Sequence, residues 1–346
     1  MRLLSAAILL LPGALALPGT NLRRLETPLN ASSADVLYTP PPGVVVEPDL
    51  DMTKPPQTPG AKLTKIRHGP YKITPNSMLP MQMKNNLEKP CTDCYILAMQ
   101  GGLEYEDGTV ANIDSGAWLH HMTMSNAMRK DIVCDGWWAR PQRFYSAGNE
   151  REVSRLNPGS LKFGLKIGYW DSFAMLVELM NQSDRNITVF VTQTYETLPT
   201  REAEAQGYKP ADSIWMDITG CGISETEARE GRYELYSPIW NSTVDGTLIF
   251  STGHLHDGGE STTLYVNRVP VCTNTQLYGR RRAYVEKSTG RTHISDTGVC
   301  KDFAKIKKGD QLVLGVVYDT NKYPLEKSMH GHGFEPLMGI SRIYIG

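Results

Sequence analysis

Residues 251–259 read STGHLHDGG, and His254 and His256 stand one residue apart within them. The preceding GTLIFSTG has the composition of a β-strand, and side chains at i and i+2 of a strand project from one face. Two imidazoles so placed can meet a single metal ion, and imidazole suits copper, zinc, iron and nickel. The plainer reading is polar alternation on a wet strand face. A second pair, His120 and His121 in WLHHMTM, is adjacent in sequence. Neighbours on a regular strand face opposite ways, so joint ligation requires a twist, a bulge or different ring nitrogens. A third group, EKSMHGHGFEPLMG, holds Met329, His330, His332 and Met338. A thioether is a soft ligand that favours copper(I), although with fourteen methionines in the chain core packing is the competing role. Asp257 can orient a ligating imidazole through its second nitrogen, or open a tight turn with Gly258 and Gly259.

The elements that must position these residues read as strands. RNITVFVTQTYE alternates and is β-branched; DQLVLGVVYDT is an apolar run of core-strand length; TLYVNRVPVC carries a turn at Asn267-Arg268. FAMLVELM has helix-forming residues, but its shortness and its neighbours predict a strand. Many short strands with glycine-rich turns, no βαβ alternation and no heptads predict an all-β chain of β-sandwiches. Residues 1–16 read as a signal peptide, with Arg2, an apolar run and Ala14-Leu15-Ala16. Residues 17–65 form a proline-rich lead-in, 66–200 an N-terminal sandwich and 201–346 a C-terminal one, with the junction in the polar REAEAQGYKPAD.

The chain has 346 residues, 36 basic and 37 acidic, for a net charge of −1. That balance argues against a nucleic-acid partner, and no segment after the signal approaches a membrane span. Arg280-Arg281-Arg282 reads as a solvated turn. Asn30, Asn181, Asn186 and Asn241 head glycosylation sequons, which with an even six cysteines fits a secreted, extracellular protein. Six cysteines allow fifteen pairings, which the sequence leaves open.

GHLHDGGESTTLYVNRVPVCTNTQLYG followed by MHGHGFEPLMGISRIYIG resembles the stress-upregulated nodulin family of plants and its fungal relatives. More distantly, the order His-His-Met, His-x-His and a late methionine is similar to the ascorbate-dependent copper monooxygenases that hydroxylate peptidylglycine and dopamine. The resemblance covers residues 90–346 and implies two jelly-roll-like β-sandwich domains in tandem, each with one copper. It assigns His254, His256 and Met338 to the oxygen-activating copper, and His120 and His121 to an electron-transfer copper. That second copper normally has a third histidine, where this chain offers AMLVELMN, with Glu178 or Met180 nearest. Thr252 stands where the peptide hydroxylases carry a carboxylate-binding arginine, and Ile340 and Arg342 where they carry asparagine and tyrosine. Arg342 could receive an anion or stand exposed at a strand end. Ascorbate is the implied reductant, and the substrate is left open. Cys272 with Cys300 would pin the loop beside the metal, and Cys134 with the Cys91/Cys94 region would bracket the double histidine. Two other readings stand beside the oxygenase: a non-catalytic secreted copper-binding or stress-related protein, and a zinc hydrolase using His254, His256 and a carboxylate.

Overall fold

The computed structural model describes residues 35–135, 141–329 and 333–346. The signal segment, Asn30, His330 and His332 lie outside them. The described chain is nearly all β, with one short helix at Thr200–Ala205. Helix formers in Phe173–Asn181 do not prevail. This segment pairs on one side with Ser77–Leu87 and on the other with Ala117–Lys130, and cross-strand pairing overrides propensity. The turn expected at Asn267-Arg268 joins Gly259–Val266 to Val269–Tyr278. Both turn residues have positive φ, 50° and 68°, as a two-residue hairpin loop of the primed type demands.

Four sheets result. The first runs Lys62–Ile73, Ile187–Pro199, Cys94–Tyr105, Phe163–Ile167, Lys209–Pro210, and the second Ser77–Leu87, Phe173–Asn181, Ala117–Lys130, Pro141–Ala147. The third is Asp212–Asp217, Ile340–Ile345, Gly246–His254, Cys300–Ile306, and the fourth Arg232–Tyr236, Gln311–Asp319, Gly259–Val266, Val269–Tyr278, Ile294–Thr297. The first two sheets are built only from strands before Ala211, and the last two only from strands after it.

The sheets follow one another in a propeller-like ring. Strand Pro141–Ala147 at the edge of the second meets Asp212–Asp217 at the edge of the third. Residues 35–50 close the ring between the fourth sheet and the first. Leu37 N donates to the Arg280 carbonyl, Val299 N to that of Val45, and Leu50 N to Gln100 Oε1. The larger apolar core is continuous across the ring: Phe250 and Tyr344 of the third sheet pack with Phe144 and Phe173 of the second. This closure corrects the reading of the arginine cluster. Arg280 is buried against Asp296, and Arg281 spans Asp296 and Asp49, each at 2.7 Å. These arginines anchor the proline-rich segment instead of facing water.

Cys272 pairs with Cys300, as expected. The other expected pairing is corrected: Cys91 closes on Cys94, and Cys134 bonds Cys221. Cys94 opens a strand of the first sheet, whereas Cys134 follows the second sheet where it meets the third. The bond from Cys134 thus ties the two halves of the chain across 87 residues of sequence. Closing a loop of that size contributes about 4–5 kcal/mol in the chain-entropy model. The double variant Cys134→Ser/Cys221→Ser is expected to lose most of that in urea unfolding. A loss below about 1 kcal/mol would show that the halves are held by packing alone.

Of the sequons, Asn186 and Asn241 are exposed. Asn181 is fully buried, and its Nδ2 donates to the carbonyls of Thr74 at 2.9 Å and Arg185 at 2.7 Å. Its side chain is a structural amide with no access for a sugar.

Candidate metal centre

His120 and His121 lie in the middle strand Ala117–Lys130 of the second sheet. The register there slips: Leu119 faces Leu179 and His121 faces Glu178, leaving His120 as the extra residue of a β-bulge. The bulge turns two neighbouring imidazoles to one side, with ring centroids 4.0 Å apart. Glu178, across the ladder, holds both. Its Oε2 lies 3.1 Å from His120 Nδ1 and 2.8 Å from His121 Nδ1.

Strand Gly246–His254 ends at the first histidine of the other pair, and Leu255 turns into the core. His256 lies beyond the strand, and its ring stands at 87° to that of His254, 5.6 Å away. The i, i+2 rule therefore gives proximity but not parallel rings. His254 Nδ1 is 2.8 Å from Glu150 Oε1, and His256 Nδ1 donates to the Pro336 carbonyl. A single hydroxyl secures this turn. Tyr318 Oη, fully buried, accepts from His256 N–H at 3.3 Å and donates to the Met338 carbonyl at 2.6 Å.

The two pairs converge on one place. His121 Nε2 and His256 Nε2 are 2.7 Å apart, and the His121 ring is 5.6 Å from that of His254. One donor atom each from His120, His121 and His256 lies within 4.8 Å of the others. Ligands about 2.0 Å from a shared ion are at most about 4 Å apart, so the rings need close only slightly on a metal. The separate placement that the resemblance implied, one pair per domain site, gives way to a single cluster between the second and third sheets.

The protonation pattern explains what the cluster is for. A carbonyl can only accept, so His256 carries its proton on Nδ1; Glu178 likewise takes the Nδ1 proton of His121. Their Nε2 lone pairs then face each other. Burial, and next His120, pulls the His121 imidazole down to about 3. Burial, then His121, His120 and His254, holds His256 well below its ordinary value. A proton between the nitrogens is thereby disfavoured, which leaves two unprotonated imidazole nitrogens able to hold a metal ion. His254 Nε2 is buried with no hydrogen-bond partner. Burial pushes the Glu150 carboxyl up, but the His254 imidazole and the Gly148 N–H outweigh it and hold it at about 2. Burial also opposes ionisation of Glu178, and the hydrogen bonds from His120 and His121 prevail, so it too stays an acceptor. Gly148 is required beside this pair, since a Cβ there would come within 2.5 Å of His254 Cε1.

Two clefts flank the imidazoles. One carries Glu150, Asp257, His293, Glu326 and Glu335 beside the apolar side chains of Trp118, Met180 and Leu255. The other is largely apolar, and His121, His254, Glu178 and Met338 are among its lining residues. Met338 is buried with Trp215 and Ile340 in a small apolar cluster on that wall. Arg342 is not at an exposed strand end. It is buried, stacked 4.9 Å over the Tyr145 ring, and donates to the Ser146 carbonyl.

Asp257 does form the turn, but its carboxylate serves His293, at 2.6 Å from Nδ1, and neither member of the His-x-His pair. Glu286 Oε1 takes the other ring nitrogen at 3.0 Å, and Arg291 bridges Asp257 and Glu326. Burial lowers the His293 pKa, but the charge and hydrogen bond of Asp257 raise it further, so the net shift is upward. A raised folded value means stability fully present below about 6.5 and lost as pH rises from there through the higher folded-state pKa. The variant His293→Asn is expected to flatten this part of the stability–pH profile. An unchanged slope would assign it to another group.

An all-β scaffold gathering four imidazoles, each with Nδ1 fixed on an oxygen, defines a metalloprotein with a histidine-rich centre. The chain is 30% identical over 287 residues to Probable copper-dependent oxygenase M1 of Phoma sp. (strain ATCC 20986 / MF5453), covering 81% of this chain and 72% of that one. It is also 30% identical over 249 residues to Probable copper-dependent oxygenase clz3 of Cochliobolus lunatus, covering 71% and 78%. The chain belongs to this family of copper-dependent oxygenases. These names carry the copper-oxygenase side of the resemblance and say nothing of nodulins. No family model matches the chain. Among solved structures, PBCV-1 VP54 fitted into a reconstruction of the virophage Sputnik aligns at TM-score 0.31 and 8% identity, covering 85% of this chain and 97% of that one. The STIV MCP aligns at 0.31 and 9%, covering 82% and 96%.

Proposed function

We propose that this protein is a secreted copper-dependent oxygenase that hydroxylates a C–H bond with ascorbate as reductant. The observation that carries the reading is the 2.7 Å approach of two Nε2 atoms whose protons are committed elsewhere. His120, His121, His254 and His256 would hold copper in one composite centre, with Met338 supplying the soft donor from the apolar cleft. Imidazoles suit the oxidised ion and a thioether the reduced one. Copper, when bound, supplies the oxygen-activating redox chemistry, and the protein supplies orientation and exclusion of water. In balance, one oxygen atom of O₂ enters the C–H bond and the other leaves as water, with ascorbate giving two electrons and two protons. Glu178 and Glu150 fix the imidazole tautomers, and Tyr318 ties the His256 turn to the Met338 segment. We read the halves 66–200 and 201–346 as two jelly-roll-like sandwiches that meet at this centre.

The test is oxygen uptake by copper-loaded protein with ascorbate. Turnover about tenfold or more above an equal concentration of free copper is expected. Tight copper binding with no uptake would favour the non-catalytic copper-binding reading, and zinc at one equivalent in protein purified without added metal would favour the hydrolase.

A further inference from the structure

The second cleft specifies what the centre acts on. Met81, Met122, Leu176, Trp215, Ile223 and Met338 line it together with His121 and the buried His254. Two of the apolar residues lie at the mouth: Ile223 is 78% exposed and Met81 66% exposed. Exposed apolar side chains leading into a concave, metal-ended cleft are unfavourable in water unless something apolar covers them.

The charges in the cleft are one-sided. Among the described residues its ionisable side chains besides the imidazoles are Glu178 and Glu225, with neither lysine nor arginine in its lining. A carboxylate ligand would meet these groups without a counter-ion, at a cost that no contact there offsets. Arg342 stacks on Tyr145 and gives one nitrogen to the Ser146 carbonyl, and it is not among the residues that line the cleft. An ammonium ligand fares no better. Glu178 is already bonded by two imidazoles, and burial and the charges of Glu178 and Glu335 disfavour ionisation of Glu225. Thr123, Ser146 and Ser224 leave neutral hydrogen-bonding groups on the same wall.

We propose, building on the oxygenase reading, that the substrate is an uncharged, predominantly apolar molecule. Its body lies between Met81, Leu176 and Ile223, with the C–H bond to be hydroxylated at the His121/His254 end. This departs from the carboxylate-bearing peptides of the more distant copper monooxygenases.

The experiment displaces Nile red, an uncharged apolar probe, from the full-length protein at pH 8 with 1-decanol, decanoate and decylammonium. It is run on both copper-free and copper-loaded protein. Decanol is expected to displace the probe at a concentration about tenfold or more below either ion. Ile223→Asp, a change at an exposed residue, should weaken decanol by about five- to tenfold, given the worth of an isoleucine that a bound ligand partly covers. Glu225→Gln should leave decanol within about twofold and improve decanoate. Tighter binding of decanoate or decylammonium overturns the proposal, as does probe binding that Ile223→Asp does not change. Failure of the copper reading would appear separately, in the metal content of the same samples, while decanol binding by copper-free protein would persist.

Discussion

The variant His121→Ala is expected to leave the protein without copper altogether, and His256→Ala to do the same. The two residues lie 135 positions apart and come from different halves of the chain, yet their Nε2 atoms face each other at 2.7 Å. Losing either imidazole removes one wall of the centre and unpairs the other. Loss of an outer partner alone typically costs ten- to hundredfold in metal affinity, so loss of a ligand should cost at least about a hundredfold. Metal analysis after dialysis against a weak chelator reads this directly, with circular dichroism to confirm the fold. Two independent sites would behave otherwise: His121→Ala would keep the copper of the His-x-His pair. Retention of half the metal in either variant would therefore separate the sites and end the composite centre.

The second large effect concerns a carboxylate that touches no metal. Glu178→Ala is expected to weaken copper by ten- to hundredfold, because one oxygen fixes the Nδ1–H of both His120 and His121. Without it each ring is free to rotate or to change tautomer, and the bulge no longer aims two lone pairs inward. Glu178→Gln retains an acceptor oxygen and should recover part of the loss. A chelator competition titration measures all three proteins. Affinity within twofold of the parent for Glu178→Ala would mean that the backbone bulge alone orients the imidazoles.

Much of the site was legible because its parts are local. His-x-His and His-His are visible as spacings, the need for a bulge at the second follows from strand geometry, and Glu178 stands where a third ligand was sought. Its role is one step outward: it holds the rings in place and is not itself among the converging nitrogens. What could not be read is carried by long-range pairing. Glu150 sits in the charged run NERE, which on composition alone resembles a solvated loop, yet it is 3% exposed because ring closure buries it against His254. Arg280 and Arg281 were hidden in the same way, since their partners Asp296 and Asp49 come from distant segments. Tyr318 looks like one more aromatic in an apolar strand, and nothing local tells that its hydroxyl joins two loops. The strands were legible from pattern and turn chemistry. The way four sheets close upon one another was not, because register and edge contacts depend on which distant faces meet.

The division of the imidazoles, two from each half of the chain, has a thermodynamic corollary. Neither half alone owns a complete ligand set, so cation affinity and the docking of the halves share one free energy. Filling the centre must hold the molecule shut, and any loosening near Ala211 must release the ion. Limited proteolysis around that residue should accordingly slow on metal loading, and the two separated fragments should bind copper only when mixed.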